Sequence, residues 1–358
     1  MNKNIKFAVV GFGHIGKRHS KIVLEHPEAE LCAIVDIDEG KLAEAPSLGI
    51  TDVASFQNID QFLAANMNDI DVVCICTPNY LHAPIALKAL EEKYHVVIEK
   101  PMAMTKLECE KVVFKSLNVS RNVFVVKQNR YSPPSKWLKE VVDKGHLGNI
   151  ELVQINCYWN RDDRYYKKTK TWKGLLKEDG GTLFTQFSHF IDIMYWIFGD
   201  VKDIQAKFFN FTHQESTEFE DSGLVNFEFI NGGLGCINFS TACWGQNMES
   251  SITVVGETGS IKIGGQYMNE VEYCHVENYE MPELEPTNPP NDYGPYKGSA
   301  ANHHYIIQNV VDTLKGRSSI DTNALEGLKV VDIIERIYEH RDLNKIMKKK
   351  AKKEKAEV

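Results

Sequence analysis

Nowhere in the 358 residues is there a run of about 18 apolar side chains, so no segment reads as a membrane-spanning helix. The apolar run ahead of Gly11 is too short for a signal-peptide core. Positive charge is not in excess: the net charge is -8, which excludes a chain-wide basic field for nucleic acid. The eight cysteines form no CxxC pair. Cys74 and Cys76 sit two apart in an apolar run and read as small core residues in a reducing cytoplasm, not as a disulfide framework. No His, Cys or carboxylate cluster has metal-ligand spacing, so no metal is expected. No internal repeat is visible.

What is present suits a globular chain of about two domains, 43% hydrophobic. In the first third, short continuous apolar runs alternate with helical patterns: Lys6–Val10, Leu31–Asp36, Asp71–Cys76, His95–Glu99 and Val123–Gln128. Such runs suit parallel strands buried on both faces, in βαβ order. Beyond that point the strands lengthen and alternate, and Asn231–Gly233 ("NGG") marks a hairpin turn. A helix is predicted over Thr182–Phe198 and two more at the C-terminal end. The fold class is therefore α/β. A Rossmann-type doubly wound parallel sheet is expected over 1–128, an α+β domain with a largely antiparallel open sheet over 129–345, and a basic solvated tail over 346–358. An open sheet face usually needs a partner, so a homo-oligomer is expected.

The sequence "VVGFGHIGKRH" follows the first strand and opens a helix. Gly11 allows a tight turn, Gly13 lets a pyrophosphate approach the backbone, and Gly16 lets the helix pack on the sheet. Phe12, His14 and Ile15 complete that loop. Asp36 ends the second strand, where its carboxylate can bind a ribose 2′-hydroxyl. A carboxylate about 4 Å from a 2′-phosphate costs about 4 kcal/mol per charge pair at an effective dielectric near 20. Ile37, Asp38 and Glu39 follow it, with no arginine to offset that repulsion, so NAD is expected over NADP.

Two further loops follow carboxyl ends of parallel strands, where doubly wound sheets bind ligands. One carries Thr77, Pro78, Asn79 and His82; the other carries Glu99 and Lys100 ahead of Pro101. These residues, with Gln128 after the fifth strand, are the remaining candidates for cofactor contact. Lys100 reads either as a surface lysine or as a cation over a nicotinamide. In the helix over Thr182–Phe198, Leu183, Phe187, Phe190, Ile191, Met194 and Phe198 form an apolar stripe. His189 lies off that stripe, beside Thr185, Gln186 and Asp192, and reads either as a packed residue or as a titrating group near Gly180 and Gly181.

GxGxxG, then TPNxxH, then EKP, then GGxxxxQxxHxID together resemble the Gfo/Idh/MocA oxidoreductase family, from Phe7 to about Arg341. The segments "CYWNRDDRYYKKTKTWKGLLKEDGG", "FEDSGLVNFEFINGGLGCIN" and "NPPNDYGP" resemble one branch, the bacterial UDP-N-acetyl-2-amino-2-deoxyglucuronate dehydrogenases of surface-polysaccharide synthesis. The resemblance implies a cytoplasmic NAD-dependent dehydrogenase oxidising a sugar 3-hydroxyl, a tetrameric assembly, and 2-oxoglutarate as the acceptor that reoxidises NADH. It sets His189 beside Lys100 at the nicotinamide. His189 then takes the hydroxyl proton and Lys100 polarises the oxygen, with the reverse assignment open.

It also sets Arg130 and Arg161 at the flanks of a substrate carrying a carboxylate and a diphosphate. Of the basic loop, Arg164, Lys167, Lys168, Lys170 and Lys173 read mostly as solvated charge. Tyr165, Tyr166 and Trp172 suit either a sugar ring or the core. Where the branch usually has Asn, this chain has Thr185, shorter, followed by the expected Gln186. Two alternatives stand: a dehydrogenase of another sugar or cyclitol, and a non-catalytic NAD-binding sensor.

Overall fold

The computed structural model describes residues 3–67, 69–166, 172–294, 296–344 and 346. Lys167, Lys168, Lys170 and the tail from 347 lie outside the described residues. The chain forms two compact units, one of residues 1–127 with 303–331, the other of 128–302 with the chain from 332 onward. The break after Lys127 falls one residue before the expected boundary. Residues 303–331, expected in the second domain, belong to the first unit.

The first unit holds six parallel strands: β1 (Ile5–Val10), β2 (Ala29–Val35), β3 (Ala54–Phe56), β4 (Val72–Ile75), β5 (His95–Ile98) and β6 (Val123–Val125). Their order is β3-β2-β1-β4-β5-β6. Between them run α1 (His14–Glu25), α2 (Glu39–Leu42), α3 (Ile59–Ala64), α4 (His82–Glu91) and α5 (Lys106–Val119). Phe7 to Val10, Val72 to Ile75 and Val96 to Ile98 are all buried, as both-face burial requires. The strand order reverses between β1 and β4, and the loops leaving those two strands carry Gly11–Gly13 and Thr77–Asn79. β3 is a three-residue edge strand with little burial, too short to leave a sequence pattern.

The second unit is built on seven strands: β7 (Ile150–Tyr158), β8 (Val201–Phe209), β9 (Ser222–Phe229), β10 (Leu234–Ser240), β11 (Glu249–Gly256), β12 (Gly259–Gly264) and β13 (Glu270–Val276). They run in the order β13-β12-β11-β7-β10-β9-β8. The hairpin at Asn231–Gly233 joins β9 to β10, and Gly232 and Gly233 take the positive φ values of +100° and +89° that only glycine adopts readily. The sheet is antiparallel except at its centre, where β10 runs parallel to β7, with Leu234 opposite Leu152. Its helices are α6 (Pro133–Asp143), α7 (Asp163–Tyr166), α8 (Leu176–Asp179) and α9 (Ser188–Phe198). The C-terminal helices of the chain are α10 (His303–Leu314) and α11 (Ala324–Tyr338).

Alternation along β9 sends Val225, Phe227 and Phe229 inward and Leu224, Asn226 and Glu228 outward. The inner face is covered by α9 and the turn before it. Phe187 packs at 5.7 Å from Phe239, Phe190 at 5.7 Å from Trp159, and Phe198 at 5.6 Å from Phe229, ring centre to ring centre. The predicted single helix over Thr182–Phe198 is a wide π-type turn, Leu183–Phe187, running into α9. Every residue from Gly181 to Met194 is buried, the polar ones off the apolar stripe included.

Burying that helix all round requires its charges to be answered. Asp192 accepts from Arg130 Nε at 2.8 Å and from Nη2 at 2.7 Å, with both residues almost fully buried. Removing one partner leaves a charge stranded in low dielectric, a loss of about 3–5 kcal/mol. Asp192→Ala should lower the thermal midpoint by many degrees, and Arg130→Met added to it should restore part of the loss. A single variant melting with the wild type would contradict this packing.

Candidate active site

In the first unit the glycine loop is shaped by backbone crowding. Gly11 sits at φ +92°, and a Cβ there would lie 2.6 Å from the Cys76 carbonyl oxygen; a Cβ on Gly16 would lie 1.8 Å from the Gly11 carbonyl oxygen. At Gly13 a Cβ would meet nothing within 4 Å. Gly13 is also the N-cap of α1 and offers no side-chain cap. No N-cap side chain therefore takes the first N–H groups of that helix, which suits an anion site. Phe12 is buried, Ile15 half-buried and His14 exposed.

Asp36 is nearly buried and fixed. Its Oδ2 accepts from the Phe12 N–H at 2.7 Å and its Oδ1 from the Asp38 N–H at 2.9 Å. Lys41 Nζ stands 3.4 Å from Oδ1, returned by one turn of α2, a neighbour that reading only the next three residues missed. In the second loop Pro78 opens a tight turn over Asn79–Leu81, Asn79 is buried, and the Thr77 hydroxyl is buried with no hydrogen-bond partner among the described residues. An orphaned hydroxyl beside an uncapped helix end suits a polar cofactor.

His82 uses both ring nitrogens inside the protein, Nδ1 at 2.6 Å from the Pro101 carbonyl oxygen and Nε2 at 2.9 Å from that of Thr77. It braces the two loops against each other. Burial lowers its pKa against the pull of those carbonyls. Glu99 also turns inward, toward His19 and His303. That trio is the one group with metal-ligand chemistry among the described residues. No sequence spacing could reveal it, because its members come from α1, the loop after β5 and the start of α10.

In the second unit His189 is buried, and the Gln128 amide nitrogen points at its Nε2 from 3.4 Å while also donating to Ser299 Oγ at 3.1 Å. Facing a donor, Nε2 is an acceptor, the state a general base needs. Gln128, expected at the cofactor, belongs to this unit and to His189. The Thr185 hydroxyl donates to the Asp179 carboxylate, which also accepts from the Gly174 N–H at 2.8 Å. Thr185 therefore pins its own turn. Arg130 uses Nε and Nη2 on Asp192, so any substrate contact would fall to its remaining donors.

Arg161 is different. It is 2% exposed, and among the described residues every acceptor it meets is neutral. Nε donates to Gln186 Oε1 at 2.8 Å, Nη1 to the Asn160 carbonyl at 2.6 Å and to Asn247 Oδ1 at 3.1 Å, and Nη2 to the Lys297 carbonyl at 3.0 Å. Its guanidinium carbon lies 4.6 Å from the Trp159 ring centre, 5.0 Å from that of Tyr296 and 5.5 Å from that of Tyr165. Gln186 turns its amide nitrogen to the Tyr165 hydroxyl at 2.7 Å, and Lys173 Nζ stands 4.0 Å from the Tyr165 ring centre. Burial is the largest influence on the Arg161 pKa and lowers it, against an upward pull from nearby tyrosines, Tyr165 first. Asn247, Tyr296 and Lys297 lie too far along the chain from Arg161 for sequence to connect them.

Residues 5–126 match the profile of an oxidoreductase family with an NAD-binding Rossmann fold, GFO/IDH/MocA, and residues 136–262 match the GFO/IDH/MocA C-terminal domain. Among solved structures, the chain is similar to the WlbA dehydrogenase of Bordetella pertussis in complex with NADH and UDP-GlcNAcA. The TM-score is 0.83 and the identity 29%, over 94% of this chain and 96% of that one. The Chromobacterium violaceum WlbA dehydrogenase, solved with the same two ligands, gives a TM-score of 0.83 and 29% identity, over 94% of each chain. Among curated relatives, the inositol 2-dehydrogenase of Salmonella typhimurium is 26% identical over 265 residues, 72% of this chain and 74% of its own length.

The fixed carboxylate of Asp36 sets a measurable preference. NAD should bind more tightly than NADP by at least tenfold, about 1.4 kcal/mol. The margin stays below the bare repulsion because Lys41 offsets part of it. Asp36→Ala should narrow the gap and Lys41→Ala should widen it, in titrations followed by fluorescence. Equal affinities in the wild type would contradict the assignment.

Proposed function

Because the chain belongs to the Gfo/Idh/MocA family of NAD-dependent oxidoreductases acting on CH–OH groups, we propose that it oxidises the 3-hydroxyl of UDP-N-acetylglucosaminuronic acid for a surface polysaccharide. The observation that carries the substrate class is Arg161, a buried cation whose hydrogen-bond partners among the described residues are all neutral. A substrate carboxylate entering the cage of Trp159, Tyr165 and Tyr296 would supply the missing anion. Charge-assisted hydrogen bonds of this kind contribute about 1.5–3 kcal/mol each. The WlbA likeness supports the same reading.

Bound NAD would supply the acceptor for the hydride from sugar C3. Gly13 would leave room for its pyrophosphate, Gly11 and Gly16 let the turn and the helix close against the backbone, and Asp36 would take the ribose hydroxyl. Lys100 donates a hydrogen bond to the 3-hydroxyl oxygen. His189 takes the hydroxyl proton at Nε2, displacing the long contact from Gln128, as the C3–H bond breaks and the carbonyl forms. Gln186 and Tyr165 hold Arg161 in place.

A dehydrogenase of another sugar or cyclitol is the second reading, and the inositol 2-dehydrogenase likeness favours it. We place the reaction in the cytoplasm, which eight free cysteines suit, with 2-oxoglutarate as the acceptor that regenerates NAD. No described helix is long and apolar enough to cross a membrane. The outer sheet face carries exposed Leu152, Leu224 and Leu234, which a second copy of the chain, within a tetramer, would cover.

A substrate panel tests the reading. UDP-N-acetylglucosaminuronic acid should give NADH fluorescence, increased in turnover by 2-oxoglutarate, while UDP-N-acetylglucosamine and inositol should give little. Inositol as the best substrate would sink it. His189→Ala should slow single-turnover hydride transfer by a hundred- to ten-thousand-fold, as for loss of a general base, with NAD binding and thermal midpoint nearly unchanged. A folded variant at wild-type rate would remove the catalytic role.

A further inference from the structure

The turn that leads into α9 begins without a cap of its own and is closed by residues from elsewhere in the second unit. Thr182, its N-cap, makes no side-chain cap hydrogen bond. Its backbone N–H instead donates to Glu220 Oε1 at 3.1 Å, and its hydroxyl donates to the Glu220 carbonyl oxygen at 2.6 Å. The Leu183 N–H donates to the Tyr338 hydroxyl oxygen at 2.8 Å, and that hydroxyl donates to Glu220 Oε1 at 2.5 Å. Arg341 Nη1 donates to the Gly180 carbonyl oxygen and to Glu220 Oε2, both at 3.2 Å. Its guanidinium carbon lies 3.8 Å from the Tyr338 ring centre, and Glu220 is fully buried. A Cβ on Gly181 would lie 2.6 Å from the Tyr338 hydroxyl oxygen and 2.7 Å from Arg341 Nη1, so that glycine makes room for this clasp.

The first N–H groups of a helix need acceptors from outside its own ladder, and a buried end without them is costly. A carboxylate at that end also meets the positive pole of the peptide dipoles. The need is sharper here, because Leu183–Phe187 is a π-type turn, a rare geometry found mostly at functional sites. Its width sets the register between the turn and α9. Each helical residue advances the chain by about 100°, so a slip of one residue between turn and helix would swing one against the other by that angle. Gln186, in the turn, accepts from Arg161 Nε at 2.8 Å, and His189, in the helix, faces the Gln128 amide nitrogen at 3.4 Å. A slip would cost one contact or the other. Beyond His189 the Arg130–Asp192 fork holds the same helix, so clasp and fork grip the chain on either side of the histidine.

We infer that Glu220, Tyr338 and Arg341 are positioning residues for His189 and Gln186, gripping the start of the π-type turn and so fixing its register on α9. The inference rests on His189 taking the hydroxyl proton, as proposed above. The three residues act through the turn. Loosening them misplaces the base against the sugar, and a small misplacement from a distant change is enough to slow a reaction strongly. The glycine loop and Asp36 lie in the first unit and are untouched, so NAD affinity is unaffected.

The test compares Tyr338→Phe, which removes one hydroxyl and keeps the ring, with Glu220→Leu, Glu220→Gln and His189→Ala in the full-length protein. Single-turnover NADH formation is measured with the sugar of the panel that the wild type oxidises. NAD affinity, thermal midpoint and amide exchange over residues 182–189, read by mass spectrometry, are measured on the same samples. Tyr338→Phe and Glu220→Leu should slow hydride transfer by about ten- to a hundred-fold with NAD affinity unchanged. Glu220→Gln, which keeps an acceptor oxygen for Thr182 and Tyr338, should recover much of the rate lost in Glu220→Leu. Amide exchange over the turn, which needs no substrate, should quicken in Tyr338→Phe. If Glu220→Leu does not fold, Tyr338→Phe carries the same test. A wild-type rate in folded Tyr338→Phe, whatever its thermal midpoint, with His189→Ala slow, makes the clasp structural only and overturns this inference alone. Unchanged amide exchange in Tyr338→Phe overturns it as well. A wild-type rate in His189→Ala overturns it together with the proposed base.

Discussion

Charge taken out of water must be answered inside the protein, and the buried ions of this chain are answered in different ways. Arg130 and Asp192 close on each other, and the fork between them anchors a helix buried along most of its length. Glu99 is answered by an imidazole donor from α1 and a second imidazole from the start of α10. Arg161 is held by carbonyl and amide oxygens and by ring faces, with no carboxylate among the described residues hydrogen-bonded to it. The first arrangement is complete as it stands, and its role is stability. The third has a cation in place and room in its chemistry for one anion. That asymmetry is the physical reason for assigning Arg161, rather than Arg130, to a charged substrate.

The cofactor half of the protein was legible because its signals are local. Three glycines, a strand before them, a helix after them and an acid at the end of the next strand lie within one βαβ unit. Each glycine proves to be needed or left open by its own surroundings. The Asn231–Gly233 hairpin was legible for the same reason. The central parallel pair of β7 and β10 was not, since a strand's far partner leaves no mark in its own alternation. The π-type turn before α9 breaks the 3.6-residue period on which the apolar stripe was drawn, and the polar residues off that stripe, Thr185, Gln186, His189 and Asp192, are buried with it.

The side-chain partnerships show the same division. Lys41 was missed by one helical turn, although it lies five residues from Asp36. His19 and Glu99 are 80 residues apart, so only the folded chain brings them together. Thr185, the one departure from the resembling branch, keeps its hydroxyl for Asp179 and so tells more about the turn that carries His189 than about the substrate. Motif spacing thus singles out the candidate residues, and three-dimensional packing shows what fixes Asp36, His82 and Thr185 in place.

The central claim, that Arg161 is the counter-ion of a substrate carboxylate, is tested most directly by a cycle in which the ligand supplies one of the changes. Binding of UDP-N-acetylglucosaminuronic acid and UDP-N-acetylglucosamine is measured by calorimetry to the wild type and to Arg161→Met, each saturated with NAD. If the carboxylate meets Arg161, the two changes are coupled by about 1.5–3 kcal/mol, the worth of one charged hydrogen bond. The acidic ligand then loses more than tenfold in affinity on substitution while the neutral one changes little. Equal losses for both ligands, with zero coupling, would contradict the account.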